Sequence, residues 1–463
     1  MSTLSFLGAT RTVTGSKFLI ETDAGRRVLV DCGLFQGFKE RRLRNWAPFP
    51  VPPESIDAIL LTHAHIDHCG YIPRLVKMGF SGPVHATADT RRLAAIVLPD
   101  SGHLQEKEAE YANRKGYSKH KPALPLYTRQ EAVASLEQFR DVPFDRRTGI
   151  VEGLDATFRW AGHILGSASI DVDLTGPSGA RRVVFSGDLG RSTHPLLRPA
   201  DPVGAADVVL TESTYGNREH PEQDVPEFLA KLINRTANRG GVIVIPSFAV
   251  DRTEVVLWHL EQLVRAGAVP NLPIYVDSPM ATAALKVSEE SVRRGSPEIR
   301  SELAGTELFS DLDLTAVRDV EASKALNSRH GPMIIISASG MATGGRVLHH
   351  LASRIGDHRN LVLMVGFQVP GTRGDRLLRG EKQIKMLGRY FRVRAEVERL
   401  ELSAHADRDD LVAWVKSCQP PPETVYVVHG EEEASMALAQ TINDDLDVLA
   451  IVPTLNEKVS LDD

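Results

Sequence analysis

The chain has 463 residues, 42% hydrophobic and 25% charged, with a formal net charge of −6. That suffices for two or three domains with a sizeable core and excludes a low-complexity chain. No apolar run approaches the ~20 residues of a membrane span, and the start "MSTLSFLGATRTVTGS" lacks the basic and then apolar organisation of a secretory leader.

Three cysteines, Cys32, Cys69 and Cys418, are few, odd in number and far apart. They exclude a disulfide framework and point to a reducing cytoplasm. None forms a Cys-x-x-Cys pair, so a metal site here has to be built on histidines and carboxylates.

The first part of the chain, to about residue 210, is β-rich. "KFLIETDAG", "RRVLVDCG", "AILLTHAH", "ATFRWAGH", "RRVVFSGD" and "DVVLTEST" each predict a strand bounded by turn residues. Charged helical stretches interrupt them near residues 103–115 and 129–140. From residue 216 the rhythm changes. "PEFLAKLINRTANRGG" predicts a helix with a glycine stop, "VIVIPSF" a buried strand, "RTEVVLWHLEQLVRAG" a helix and "PIYVDSP" a strand. A helix, "PMIIISASG", another helix and "NLVLMVGF" follow. Strands alternating with helices predict βαβ units around a parallel sheet. After residue 395, "VERLELSAHAD" leads into the helix "RDDLVAWVKSC", and "ETVYVVHGEEEASMALAQTI" gives strand, short loop and helix.

Residues 373–394 carry Arg373, Arg376, Arg379, Lys382, Lys385, Arg389, Arg392 and Arg394 against only Asp375 and Glu381. Such a run is either a solvated face or a wall that faces phosphate. The acidic balance of the whole chain weighs mildly against a nucleic-acid enzyme, but net charge hides local patches.

The densest chemistry lies in "LTHAHIDHCG", residues 61–70. Residues two apart at a strand end point the same way, so His63 and His65 converge on one ion. Asp67 and His68 turn toward a neighbouring position as a helix begins, with Pro73 in that helix's first turn. One loop cannot close a site, because Zn²⁺ takes four ligands, or three and a water. Further candidates sit at other strand ends: His163 in "WAGHILGSAS", Asp188 in "VVFSGDLGR" and His429 in "VYVVHGEE". Each alone is more often a hydrogen-bonded structural residue. Together with the first loop they make seven N/O ligands, a set that suits two metals with a carboxylate between them. The absence of thiolate favours Zn²⁺, with Mn²⁺ or Fe²⁺ as substitutes.

This order of ligands resembles the metallo-β-lactamase superfamily, in which an αββα sandwich holds metals in strand-end loops. The resemblance implies that His63, His65 and His163 bind one zinc ion, that Asp67, His68 and His429 bind the other, and that Asp188 bridges. The middle of the chain resembles the β-CASP branch, the nucleases of that superfamily. The matching motifs are "LTESTYG" with Glu212, "LSAHAD" with His405 and "VVHGE" with His429. "VTGS", "DCGLFQG", "IPSFAVDR", "YVDSPMAT", "SASGMATGGR" and "GFQVPGTRGD" are similar to family segments too. RNA-acting members carry histidine at the last motif, where DNA-acting members usually carry an apolar residue, so His429 tilts the expectation to RNA.

The resemblance implies a metallo-β-lactamase domain in two pieces, residues 1–212 and 398–463. An inserted α/β β-CASP domain with a mostly parallel sheet lies between them, at 213–397. It implies a cytoplasmic, zinc-dependent ribonuclease with its site in the cleft between the two domains, RNA as partner, no membrane, and room for a homodimer. Hydroxide activated by the two metals would attack phosphorus, with Asp67 or Asp188 steering its proton. His405, oriented by Glu212, would serve the leaving oxygen. The bland reading of His405 is a residue at a helix start capped by Ser403 or Asp407. Ser339 and Gly340 in one glycine-rich turn, Thr372 in another, and Ser403 are expected to meet phosphate, with Arg373 and Arg376 adding charge.

Two other classes compete. A hydrolase of small esters or thioesters, of the glyoxalase II or lactonase type, would share His63, His65 and His163 but leave Glu212, His405 and the insertion without a role. A non-catalytic partner subunit would have lost ligands, and none is missing here. A flavo-di-iron protein would carry glutamate where this chain has His65.

Overall fold

The computed structural model describes every residue except 117, 177, 178, 222, 367, 370 and 463. It divides into two compact units, residues 1–219 with 405–463, and residues 220–404. Both boundaries fall a few residues later than the sequence suggests. The second is set by the strand Glu396–Leu400, which pairs in parallel with Leu361–Val365 and so completes the second unit before the chain returns.

The first unit is built on two seven-stranded sheets. One runs Lys458–Ser460, Thr3–Phe6, Phe18–Glu21, Arg27–Val30, Ala58–Leu60, Val84–Ala86, Phe139–Asp141. The other runs Leu449–Ile451, Thr424–Val427, Val208–Thr211, Gly179–Phe185, Ala168–Gly176, Leu154–Trp160, Thr148–Val151. Their inner faces share one core, in which Phe6, Val28 and Leu60 of the first sheet meet Phe158, Ile170, Phe185 and Leu210 of the second. The helices Arg408–Lys416 and Glu432–Leu446 cover the second sheet's outer face through Leu411, Trp414, Leu438 and Ile442. Ala88–Lys115 packs against Phe139–Asp141 at the edge of the first sheet. The layers are therefore αββα.

The helix near 103–115 begins much earlier, at Ala88. Thr87 caps it by accepting the Thr90 amide, and Pro99 lies inside it. A proline within a helix costs a hydrogen bond and reads in sequence as a break. The stretch 129–140 is a short helix, Arg129–Ser135, a 3-10 turn and then the strand Phe139–Asp141.

In the second unit six strands pair in parallel, in the order Leu314–Ala316, Ile274–Val276, Met333–Ala338, Val242–Ser247, Leu361–Val365, Glu396–Leu400. Val242–Ser247 is buried along its whole length, as a central strand covered on both faces must be. Its neighbouring helices carry proper starts: Asp224 accepts from Glu227 N, and Ser278 accepts from Ala281 N, each with a proline in the first turn. No described helix in either unit is long and apolar enough to cross a membrane.

Candidate metal centre

Strand direction gathers the candidate residues. Gly179–Phe185, Val208–Thr211 and Thr424–Val427 are parallel neighbours, with Phe185 opposite Leu210 and Thr211 opposite Val427. Asp188, Glu212 and His429 therefore emerge at the same sheet end. Leu154–Trp160 runs the same way, two antiparallel steps removed, and delivers His163 there. In the first sheet Val30 lies opposite Leu60, so Asp31 emerges beside the loop that carries His63. Ile66–Cys69 is a single helical turn, which sets the His68 ring 4.0 Å from that of His63 and beside His429.

The seven candidates converge into two groups. His63, His65, His163 and Asp188 form one, and Asp67, His68 and His429 the other; within each, the ligand atoms lie within 4.8 Å of one another. The Nε2 atoms of His63 and His163 lie 3.1 and 3.2 Å from Nδ1 of His65. Asp188 stands between the groups. Its Oδ2 lies 3.4 Å from His63 Nε2 and 3.7 Å from His163 Nε2. Its Oδ1 lies 3.2 Å from His68 Nε2 and 3.5 Å from His429 Nε2.

The electrostatics suit cation binding. Burial, with neighbouring histidines against them, pushes the pKa values of His63 and His163 well below the ordinary range. Burial brings His65 down to about 4, against the pull of Asp67 and Asp188. These rings are thus neutral near pH 7 and offer lone pairs. Burial alone would lower His68 as well, but Asp188 and Asp31 hold it well above its usual value. Burial would raise Asp188, and His429, His68 and His63 instead keep it well below the carboxylate range. Its Oδ1 is buried without a hydrogen-bond partner. A buried carboxylate oxygen among ring nitrogens is costly unless a cation meets it, and the donor set fits divalent zinc.

Three residues that sequence reasoning did not single out support the ligands. Asp31 Oδ2 lies 2.7 Å from His68 Nδ1, and the Thr62 hydroxyl lies 3.0 Å from His63 Nδ1. Ser16 Oγ lies 2.9 Å from His429 Nδ1. An acid directly after an apolar strand was the available signal for Asp31; Ser16 had none beyond its place in "VTGS". Asp31 and His429 also adopt left-handed backbone conformations, at φ 58° and 49°. For residues other than glycine this costs of order 1–3 kcal/mol and gathers at functional positions.

Glu212 is fully buried. Its Oε1 accepts from Leu189 N at 2.8 Å and its Oε2 from Thr214 N at 3.2 Å. His405 Nδ1 lies 3.1 and 3.2 Å from these two oxygens and 4.0 Å from Asp188 Oδ2. Asp407, not Ser403, caps the helix that follows, by accepting Asp410 N.

The expected phosphate contacts lie in the second unit, with Ser403 half-buried just before its end. The Ser339 hydroxyl accepts from Thr343 N at 3.1 Å, and Gln368 donates to the Gly340 carbonyl. Thr372 caps Arg373–Leu378 by accepting Asp375 N. The helix Val347–Arg354 starts well after Gly340, so the turn does not open it directly. Arg373 donates to the carbonyls of Ala342, Thr343 and Lys385, and Arg376 pairs with Glu381 at 2.6 Å. Both guanidinium groups thus have internal partners. Within "GFQVPGTRGD", Phe367 and Pro370 lie outside the described residues.

Comparison with known proteins agrees with this architecture. The family model of the metallo-beta-lactamase superfamily matches residues 12–220, that of the Beta-Casp domain residues 253–377, and that of the Zn-dependent metallo-hydrolase RNA specificity domain residues 390–453. The chain is 38% identical to Ribonuclease TTHA0252 of Thermus thermophilus, over 94% of each chain. It is 32% identical to the transcription termination factor FttA of Methanosarcina mazei, over 98% of this chain and 71% of that one. It is 30% identical to an RNase J-like protein of Methanocaldococcus jannaschii, over 98% of both. A crystal structure of a protein of unknown function from Enterococcus faecalis shares the fold, with a TM-score of 0.54 at 12% identity over 99% of each chain. The chain therefore belongs to the β-CASP branch of the metallo-β-lactamase superfamily, among its RNA-nuclease members.

Proposed function

We propose that this protein is a ribonuclease that hydrolyses RNA phosphodiester bonds with two divalent cations, zinc foremost. His63, His65 and His163 would hold one and Asp67, His68 and His429 the other, with Asp188 shared. The observation that carries this reading is the Asp188 carboxylate, which turns one oxygen to each histidine group. Bound there, such cations supply Lewis-acid stabilisation for phosphate oxygens and acidify water.

The chain's own residues supply the rest. Asp188 is buried between the two histidine groups, so Asp67, the more exposed carboxylate, would take the nucleophile's proton. Glu212 is fixed by two backbone amides and holds Nδ1 of His405. That leaves Nε2 to hand a proton to the departing 3′ oxygen, and Glu212 favours the imidazolium that does so. Ser339, Gly340, Thr372 and Ser403 are proposed to meet RNA phosphate through hydroxyls and main-chain amides rather than through Arg373 or Arg376. A hydrolase of small esters needs the histidine cluster but not the Glu212–His405 pair, and relatives named as ribonucleases support RNA.

The test is metal analysis of the purified chain with cleavage of 5′-labelled RNA bearing either a 5′-phosphate or a 5′-hydroxyl. About two zinc ions per chain and RNA cleavage are expected, and the end dependence separates exonuclease from endonuclease action. Inert RNA with rapid thioester hydrolysis would overturn the proposal.

A further inference from the structure

The basic run 373–394 separates into two classes of cation. Arg373, Arg376 and Arg379 are bound internally, to carbonyls, to Glu381 and to Asp375. The rest surround an antiparallel hairpin, Gln383–Met386 with Arg389–Arg392, in which Lys385 lies opposite Tyr390 and Gln383 opposite Arg392. Ile384 and Met386 are fully buried in a core with Ile335, Val347 and Leu377. The pleat therefore turns Gln383 and Lys385 outward, and their partners Arg392 and Tyr390 with them.

The outward face has a distinct chemistry. Lys382, Lys385, Arg392 and Arg394 are all exposed and none forms an ion pair among the described residues, whereas Arg389 lies opposite the buried Met386 and stacks on Phe391 at 4.8 Å, on the hairpin's other side. No acid lies between 382 and 394. Tyr390 is 65% exposed, with the Lys385 ammonium 5.8 Å from its ring centroid. Folding accounts for the inner face and leaves the outer one without a role. In a chain of net charge −6, an exposed aromatic ring on a face that carries Lys385 and Arg392 has the chemistry that binds single-stranded nucleic acid: a stacking platform within a positive field.

We propose that this hairpin is a second RNA contact of the protein. It would take a single-stranded segment with one base stacked on Tyr390 and backbone phosphates on Lys385 and Arg392. This rests on the ribonuclease reading and adds to it a site separate from the metal ligands.

The experiment measures fluorescence anisotropy of a labelled, cleavage-resistant phosphorothioate oligouridine on the full chain across a salt series. Replacing Lys385 and Arg392 together by alanine should reduce the slope of log affinity against log salt by about 1.4. Tyr390→Ala should weaken binding roughly 5- to 100-fold, and Tyr390→Phe should restore it. Hydrolysis of bis-p-nitrophenyl phosphate, which carries no RNA chain, should stay at the wild-type rate in all of them. An unchanged salt slope, equal losses in the two Tyr390 variants, or the same losses on blunt duplex RNA would overturn the proposal. So would loss of heparin binding with oligouridine binding intact. A wild-type chain that neither binds nor cleaves RNA would overturn the ribonuclease reading, whereas cleavage with indifferent hairpin variants would overturn the hairpin site alone.

Discussion

Asp31 fixes the ring of His68: its Oδ2 lies 2.7 Å from Nδ1, while its Oδ1 accepts the amide of Thr62 at 2.8 Å. A carboxylate that accepts from Nδ1–H leaves the His68 Nε2 lone pair for a metal. Asparagine cannot serve both contacts. With its oxygen on His68 its amide faces the Thr62 N–H, and with its oxygen on Thr62 it forces the wrong tautomer. Asp31→Asn should therefore weaken metal binding roughly 10- to 100-fold with the fold intact. Competition with a chromophoric chelator measures this, and unchanged affinity would reduce Asp31 to a support for Thr62.

His405 meets the metal groups through Asp188, 4.0 Å from its Nδ1, and through its ring, 4.5 Å centroid to centroid from that of His163, and its hydrogen-bond partner is Glu212. Its removal should leave metal content intact while turnover falls roughly 10²- to 10⁴-fold, the usual worth of a general acid. His405→Ala is the cleaner variant, because Glu212 also accepts from Leu189 N beside Asp188. Added imidazole should recover part of the rate in His405→Ala. Full activity in that variant would eliminate the proton-donor role.

Gly33 is set by a close approach rather than by an unusual backbone conformation. A Cβ there would sit 1.5 Å from the Asp67 carbonyl oxygen and 2.7 Å from His68 N. Backbone atoms cannot yield as a flexible side chain can, and overpacking of this kind costs about 1–3 kcal/mol. Gly33→Ala should displace the Asp67–His68 turn and bring metal stoichiometry down toward one per chain. Gly356→Ala, with nothing within 4 Å, is the matched control. Equal stoichiometry in both would show that the turn tolerates the shift.

The cluster proposed to hold metal was legible because ligand chemistry restricts residue type and strand ends restrict position: His163, Asp188 and His429 each follow an apolar strand. Asp31 and Ser16 were not, since a residue that orients a ligand needs only a hydrogen bond, which many side chains supply. The helix Ala88–Lys115 was half hidden because Pro99 reads as a stop, although the Thr87 cap was present in "TADT". The strand Glu396–Leu400 was legible as a strand but not as a member of the second sheet, a matter of pairing. The basic run could not be sorted in sequence either. Whether Arg376 meets Glu381 or solvent depends on a helix end, and whether Lys385 faces outward depends on the hairpin pleat.

Glu254 is buried in the first turn of Arg252–Arg265; one carboxylate oxygen has no hydrogen-bond partner among the described residues, and the Ser288 hydroxyl donates to the other over a long 3.4 Å. Burial, with Asp251 nearby, raises its pKa from 4.5 to about 8. The folded chain therefore holds this proton more tightly than the unfolded chain does. Stability from it is fully present below pH 4.5 and is lost as pH rises through 8. Glutamine keeps the side chain neutral at every pH. Glu254→Gln should match the wild type near pH 4.5 and gain on it with rising pH, by up to about 5 kcal/mol once the glutamate is ionised. Urea denaturation midpoints of the two chains across this range measure the gap. A gap independent of pH would mean that Glu254 does not titrate within the fold.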